Sequence, residues 1–219
     1  MGDGETEMGR RESVKEALDD MEDCGIIDNR MKVSLVPRPA VFLDRDGVLI
    51  ADGQERLTGS IRDIQPLPGT RQAVTLLRHK GFLVCMATNQ ADIARGVTTE
   101  DRQNSINEHL SQVLGGLDGI AMCPHGPDDN CDCRKPKPSM LRDLARELNI
   151  DLDRSWMVGD MDTDIEAGVR AGTMTASVSQ TVGHAGYHAD VSGRTLIQVA
   201  RMICALTPVQ LMSGNTTCG

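Results

Sequence analysis

The stretch Val41-Phe42-Leu43-Asp44-Arg45-Asp46-Gly47-Val48 decides the fold, because an apolar run ends there in two closely spaced aspartates and a glycine. The apolar run predicts a buried strand of a parallel sheet. Open α/β sheets bind their ligands at the carboxyl ends of such strands. Two carboxylates at that edge can hold a hard cation and divide nucleophilic and acid/base work. Taken alone, however, an Asp-x-Asp pair more often marks a strand end with solvated acids.

Strand and helix patterns alternate along the chain after this stretch. We expect strands at 41–44, 82–87, 119–122, 156–158 and 173–178, and helices at 70–80, 98–114, 139–148, 163–171 and 191–206. The second helix is expected to begin with a capping box formed by Thr98 and Asp101. The alternation predicts right-handed βαβ units, and therefore an α/β, Rossmann-like domain with a parallel sheet and helices on both faces.

Length and composition limit the organisation of the chain and its partners. The 219 residues suit a single domain at 38–219 preceded by a tail at 1–37 that we expect to be flexible, and Pro37 and Pro39 separate this tail from the first strand. The net charge of -9 argues against a nucleic-acid binder that works by phosphate neutralisation. A small anionic substrate stays compatible with this charge, because a few local Arg and Lys residues are sufficient to bind it.

Neither a membrane segment nor an export signal is expected. No apolar run approaches the roughly 20 residues of a membrane helix, and the polar segment 1–22 lacks the apolar region of a secretory signal. The seven cysteines are odd in number, which argues against a disulfide framework in a chain without an export signal. The expected compartment is the cytoplasm.

Polar residues follow three of the predicted strands at the points where they end. The pairs are Asp44/Asp46, Thr88/Asn89 and Asp160/Asp164, and Lys135 lies between the last two. Each has an ordinary explanation alone, as a helix-capping acid, a polar loop or a solvated lysine. Together they supply a nucleophile, an acid/base group, hydroxyl and amide donors, a cation and a further carboxylate. Phosphoryl transfer requires this combination, because its catalysis is mostly positioning and charge neutralisation.

A second cluster combines three cysteines with one histidine within eleven positions. Cys123, His125, Cys131 and Cys133 match a tetrahedral Cys₃His zinc site. Since all four positions are filled by protein ligands, the predicted zinc is structural rather than catalytic. It would order the loop 123–133, which has no apolar core of its own, and direct the following Arg134 and Lys135 toward the crevice. The ordinary alternative is a chance group of surface thiols.

Four segments resemble one known family of enzymes. They are FLDRDGVL at 42–49, TNQADIARG at 88–96, CPHGPDDNCDCRKPKP at 123–138 and MVGDMDTD at 157–164. They resemble the haloacid dehalogenase (HAD) superfamily of phosphatases, and within it the D-glycero-D-manno-heptose-1,7-bisphosphate 7-phosphatases, sisters of the histidinol-phosphate phosphatases. The resemblance covers residues 40 to about 178.

The resemblance implies a role for each matching residue. Asp44 would be the nucleophile that forms an aspartyl-phosphate, and Asp46 would protonate the leaving oxygen and later activate water. Thr88 and Lys135 would stabilise the phosphoryl group. Catalytic Mg²⁺ would be held by Asp44, the backbone carbonyl of Asp46, and Asp160. Substrate contacts are implied at Asp52, Gly53, Asn89, Gln90 and Arg134, and the zinc ligands at Cys123, His125, Cys131 and Cys133.

The sequence therefore predicts a Mg²⁺-dependent phosphatase of a small phosphorylated metabolite, most simply the 7-phosphate of heptose 1,7-bisphosphate. A histidinol-phosphate phosphatase is the alternative within the same class, because the short zinc loop suits both. A non-catalytic zinc-binding scaffold is the alternative of another class. It predicts the loss of a catalytic residue, and none is lost. No large insertion is present apart from the zinc loop, so we expect an open crevice without a cap domain, in a monomer.

Overall fold

The computed structural model describes residues 36–54, 59–178 and 188–207. From Arg38 onward the described residues belong to one compact unit. The predicted tail, 1–37, lies outside the described residues except for its last two, so its boundary and its flexibility stay predictions. Within the described ranges, no helix is both long enough and apolar enough to cross a membrane.

A parallel sheet of six strands forms the centre of the described structure. The strands are β1 (Ala40–Leu43), β2 (Leu83–Asn89), β3 (Gly119–Cys123), β4 (Trp156–Gly159), β5 (Met174–Val178) and β6 (Val191–Gly193). Their order in the sheet is β3-β2-β1-β4-β5-β6, and every pairing is parallel. The predicted α/β architecture with a parallel sheet is confirmed.

Helices connect the strands and cover both faces of the sheet. They are α1 (Thr70–His79), α2 (Ala91–Ala94), α3 (Glu100–Val113), α4 (Ser139–Glu147), α5 (Asp162–Ala171) and α6 (Leu196–Leu206), with 3₁₀ turns at Ile61–Asp63 and Leu152–Arg154. The side chains of β1 alternate between two apolar clusters. Val41 and Leu43 pack with residues of α1 and α6, whereas Ala40 and Phe42 pack with residues of α4. The continuous apolar run of β1 follows from burial on both faces.

The strand order places a topological switch point beside β1. The chain proceeds from β1 outward through β2 and β3, then crosses to the other side of β1 to form β4. Connections on the two sides of β1 therefore leave the sheet in opposite directions, which opens a crevice at the carboxyl ends of β1 and β4. The longest segments between the strands and α-helices given above are 44–69, which contains the 3₁₀ turn Ile61–Asp63, and 124–138, and neither is long enough to form a separate cap domain.

Two local predictions were wrong. The segment predicted as one helix, 191–206, is a three-residue strand followed by α6, because Val191–Gly193 pairs with β5 and Thr195 begins the helix by accepting a hydrogen bond from the backbone N–H of Gln198. The cap of α3 is Thr99 rather than Thr98, since the Thr99 side chain accepts from the backbone N–H of Arg102.

Candidate active site

The two strands at the switch point each deliver a carboxylate to the crevice. Asp44 follows β1 directly and Asp160 follows β4 directly. Gly47 allows Asp160 to approach the loop that follows β1. Its φ of 81° is in the left-handed region, and a Cβ at this position would overlap the Asp160 carboxylate. The glycine of the opening motif is therefore required both by the turn and by the neighbouring acid.

Lys135 is buried at the centre of the site and uses all three of its donors. Its Nζ lies 2.7 Å from Asp44 Oδ1, 2.6 Å from Asp164 Oδ1 and 2.7 Å from the backbone oxygen of Ala87. The lysine is only 2% exposed. Burial alone would lower its pKa, but the adjacent carboxylates of Asp164 and Asp44 raise the pKa above its usual value. Lys135 is therefore a fixed positive charge.

Two carboxyl groups of the site, Asp44 and Asp160, have pKa values above the ordinary value for aspartate. Burial raises the pKa of Asp44 to about 7, with Lys135 opposing this effect and Asp164 adding to it. Burial and the charge of Asp164 also raise the pKa of Asp160, to about 6. Three carboxylates against one ammonium leave an excess of negative charge, so a further cation would stabilise the ionised forms.

The residues of this cluster fit a hard divalent cation. Carboxylate oxygens of Asp44, Asp160 and Asp164 all lie within 4.8 Å of one another. Asp160 Oδ1 is buried and has no hydrogen-bond partner within the described part of the chain. Such an orphaned oxygen is costly unless an ion or water satisfies it. Oxygen donors of this kind are the ligands that Mg²⁺ prefers.

Asp46 is held from two sides rather than free in the crevice. Gln90 Nε2 donates to Asp46 Oδ2 at 2.7 Å, and Arg45 Nη2 approaches the same oxygen at 3.0 Å. Gln90 Nε2 also lies 2.8 Å from Thr88 Oγ1, which accepts its hydrogen bond. Thr88 is almost completely buried and lies behind Gln90, outside the set of residues that line the cleft.

A cleft of about 680 Å³ opens above the carboxylates. Of the predicted substrate contacts, Asp52, Asn89, Gln90 and Arg134 line it, and Gly53 does not. Asn89 also fixes the segment that follows the zinc loop, because its side-chain amide exchanges two hydrogen bonds with the backbone of Lys135, at 3.0 and 3.1 Å. Besides Lys135, four basic residues contribute to the lining, and they are Arg95, Arg134, Lys137 and Arg170. The cleft thus has anionic metal-binding groups at its base, and basic side chains along its walls together with the acidic Asp52 and Asp92.

The predicted zinc ligands lie together beside this cleft. Ligand atoms of Cys123, His125, Cys131 and Cys133 all lie within 4.8 Å of one another. The three sulfur–sulfur distances are 3.1, 3.6 and 3.6 Å, and His125 Nδ1 lies 3.2 Å from Cys133 Sγ. A tetrahedral zinc with Zn–S bonds of about 2.3 Å separates its sulfurs by about 3.8 Å. The cluster could therefore hold zinc after only small adjustments.

Two residues of the site have contacts that the sequence did not reveal. Asp164 appeared only as a polar residue near a strand end, yet its carboxylate pairs with Lys135 and accepts from the backbone N–H of Met161. Arg45 lies between the paired aspartates, where alternation places it away from the cleft, and it is completely buried. Its position between two functional acids was the available signal.

Comparison with known proteins identifies the class. Residues 132–196 match the model of the HAD-hydrolase-like family. The D-glycero-β-D-manno-heptose-1,7-bisphosphate 7-phosphatase of Pseudomonas putida is 37% identical over 161 residues, which cover 72% of this chain and 91% of the relative. The enzyme of the same name from Bordetella bronchiseptica is 42% identical over 136 residues, or 60% of this chain and 75% of the relative.

Solved structures agree with the sequence relatives. The structure of D,D-heptose 1,7-bisphosphate phosphatase from B. bronchiseptica, complexed with magnesium and phosphate, matches with a TM-score of 0.68 and 35% identity, covering 76% of this chain and 98% of that one. The fold and the site define a HAD-like phosphoric monoester hydrolase. The chain belongs to the family of the D-glycero-D-manno-heptose-1,7-bisphosphate 7-phosphatases.

Proposed function

We propose that this protein hydrolyses the 7-phosphate of D-glycero-D-manno-heptose 1,7-bisphosphate with Mg²⁺ as cofactor. The observation that carries the proposal is the buried Asp44–Lys135 pair beside the unpartnered oxygen of Asp160, in a chain 37% identical to such a phosphatase. A cytoplasmic location and a monomeric state accord with this function and stay predictions.

Asp44 is the proposed nucleophile. The hydrogen bond from Lys135 engages Oδ1, which leaves Oδ2 to attack the phosphorus. The ester P–O bond breaks as the aspartyl-phosphate forms, and the leaving oxygen takes a proton from Asp46. Asp46 then removes a proton from the water that attacks the aspartyl-phosphate, which releases inorganic phosphate and regenerates Asp44.

Asp44, Asp160 and the backbone carbonyl of Asp46 are the proposed Mg²⁺ ligands. The raised pKa values of Asp44 and Asp160 and the orphaned Asp160 oxygen support this assignment. When bound, the ion offsets the repulsion between the nucleophile and the phosphoryl oxygens. Asp164 is engaged by Lys135 and by a backbone N–H, so its proposed role is to hold the lysine.

The basic walls of the cleft support a substrate that carries a second anionic group. Arg134 lines the cleft and is anchored through Nη1 to the backbone oxygen of His125, at 3.1 Å, so the zinc loop fixes its position. A guanidinium held in this way is suited to a phosphate. This geometry supports a bisphosphate over a monophosphate whose other end is cationic, such as histidinol phosphate.

The substrate assignment is tested by kcat/KM for both anomers of heptose 1,7-bisphosphate and for histidinol phosphate. We expect kcat/KM for one heptose anomer to exceed kcat/KM for histidinol phosphate by at least about 100-fold, because Arg134 would repel the amine of histidinol phosphate. Arg134→Gln should narrow this gap by raising KM for the heptose only. A higher kcat/KM for histidinol phosphate would instead assign the alternative substrate.

The Cys₃His cluster is the proposed site of one structural zinc. We expect metal analysis to find about one zinc per chain, and Cys131→Ser to lose it and to lower the melting temperature. Cys204→Ser is the matched control, because Cys204 is a half-buried thiol of α6 outside the cluster. A zinc-free protein of undiminished stability would refute the structural role.

A further inference from the structure

Arg45 is a completely buried arginine whose neighbour in sequence is Asp46, the proposed acid/base residue. Its Nε and Nη2 atoms face the Asp46 carboxylate, with Nε 3.1 Å and Nη2 3.0 Å from Oδ2. Burying a guanidinium is costly unless its donors are satisfied. The sheet and its loops supply one partner in Asp46, and a helix supplies two more.

The additional partners are two amides of α3. Arg45 Nη1 donates to Gln103 Oε1 at 2.6 Å and to Asn107 Oδ1 at 3.1 Å, so both hydrogens of this nitrogen are used. Gln103 and Asn107 are each 1–2% exposed. They share the buried face of α3 with Ile106 and Leu110, which pack against Ile50 and Ile64.

A purely structural contact would not require this chemistry. The apolar pair Ile106 and Leu110 already attaches α3 to the domain. Burying two amides on the same face has a desolvation cost that aliphatic side chains would not have. The two amides instead accept hydrogen bonds from Arg45, the cation that contacts Asp46. This arrangement indicates a role in orienting the Asp46 carboxylate.

We propose that Arg45, Gln103 and Asn107 form a positioning network that holds Asp46 in the orientation needed for proton transfer. The inference rests on the proposed function, since it assigns Asp46 the acid/base role. The amides fix the guanidinium, the guanidinium fixes one side of Asp46, and Gln90 fixes the other at 2.7 Å. None of the three positioning residues lines the cleft, so they act through Asp46 rather than on the substrate.

The network is tested by leaving-group dependence, which a structural role would not affect. kcat/KM reports the steps up to release of the alcohol, where Asp46 acts as an acid. The sugar hydroxyl of heptose 1,7-bisphosphate requires that proton, whereas p-nitrophenolate leaves without it. For Gln103→Met we expect kcat/KM to fall about 10-fold or more on the heptose ester and less than about 2-fold on p-nitrophenyl phosphate.

Further variants separate positioning from folding. Asn107→Leu should show the same selective loss, which keeps the test valid if Gln103→Met folds poorly. Gln103→Glu retains the acceptor oxygen and should recover most of the heptose activity. Gln112→Met is the matched control, because Gln112 lies on the exposed face of α3 and its amide donates a hydrogen bond to the Glu108 carboxylate.

Each result supports or overturns the network. Selective loss on the heptose ester with recovery in Gln103→Glu supports it. Equal losses on both esters, or no loss on either, in a folded variant overturn it while the wild-type activity stands. Wild-type protein inert on both esters overturns the proposed function, and the network with it.

Discussion

Replacing Asp44 by asparagine is expected to abolish phosphate release, with kcat lowered by at least about 10⁴-fold. The amide has the shape of the carboxylate and can still accept the hydrogen bond that Lys135 donates to Oδ1. It cannot attack phosphorus, because the amide is neutral and its nitrogen is a poor nucleophile. The variant should therefore fold and still bind substrate.

Phosphate release from p-nitrophenyl phosphate with Mg²⁺ measures this effect. The alternative function, a non-catalytic zinc-binding scaffold, predicts that the wild-type protein is inert in the same assay. Asp143→Asn is the matched control, since Asp143 is an exposed residue of α4 paired with Arg146. Mass spectrometry of protein quenched during turnover should detect a phosphorylated wild type and an unmodified Asp44→Asn. Activity of the variant within 10-fold of the wild type would remove Asp44 from the nucleophile's role.

Replacing Lys135 by methionine should damage both activity and stability. The two carboxylates that flank it, Asp44 and Asp164, would remain in a buried site without their cation. Breaking a buried ion pair in this way costs about 3–5 kcal/mol, or roughly 10 °C in melting temperature for a domain of this size. We expect kcat to fall by about 10³-fold, because the phosphoryl charge loses a preorganised cation.

The stability deficit of Lys135→Met should depend on pH in metal-free buffer. Burial already raises the pKa of Asp44 from 3.8 to about 7 against the pull of Lys135, and loss of that charge raises the pKa further. The native state then holds a proton that the unfolded chain releases, so the stability of the variant falls as the pH rises from the ordinary pKa of the Asp44 carboxyl group toward its raised pKa. Thermal denaturation should show that Lys135→Met lies closer to the wild type in melting temperature at about pH 5 than at about pH 8.

A double variant separates the two effects of the lysine. Lys135→Met combined with Asp164→Asn removes one of the stranded charges, so it should recover much of the lost stability without recovering activity. If the double variant is as unstable as the single one, the deficit arises from lost packing rather than from the unpaired carboxylates.

The strand pattern and the acids at the strand ends could be predicted from sequence because both follow from local chemistry. An apolar run that ends in Asp44 predicts a buried strand and the edge at which ligands bind. The zinc cluster is also local, since its four ligands lie within eleven residues. Such local features can be predicted from the sequence, because neighbouring residues determine them.

The remaining features depend on contacts between distant segments. Strand β6 has only three residues and is defined by its pairing with β5. The choice between Thr98 and Thr99 as the cap of α3 depends on how the chain enters the helix. The contact between Arg45 and Gln103 spans 58 positions, and no pattern in either segment indicates the other.

The three bonds of Lys135 have a consequence for turnover. An ammonium with every donor already committed to Asp44, Asp164 and the Ala87 carbonyl has none to offer an arriving phosphate. A direct bond to substrate would require it to exchange one of these partners. Until such an exchange occurs, the lysine influences the phosphoryl group only through its field, as a counterion that belongs to the protein. The position of the Lys135 ammonium is then fixed when the chain folds, so the lysine does not have to be oriented again for each substrate molecule.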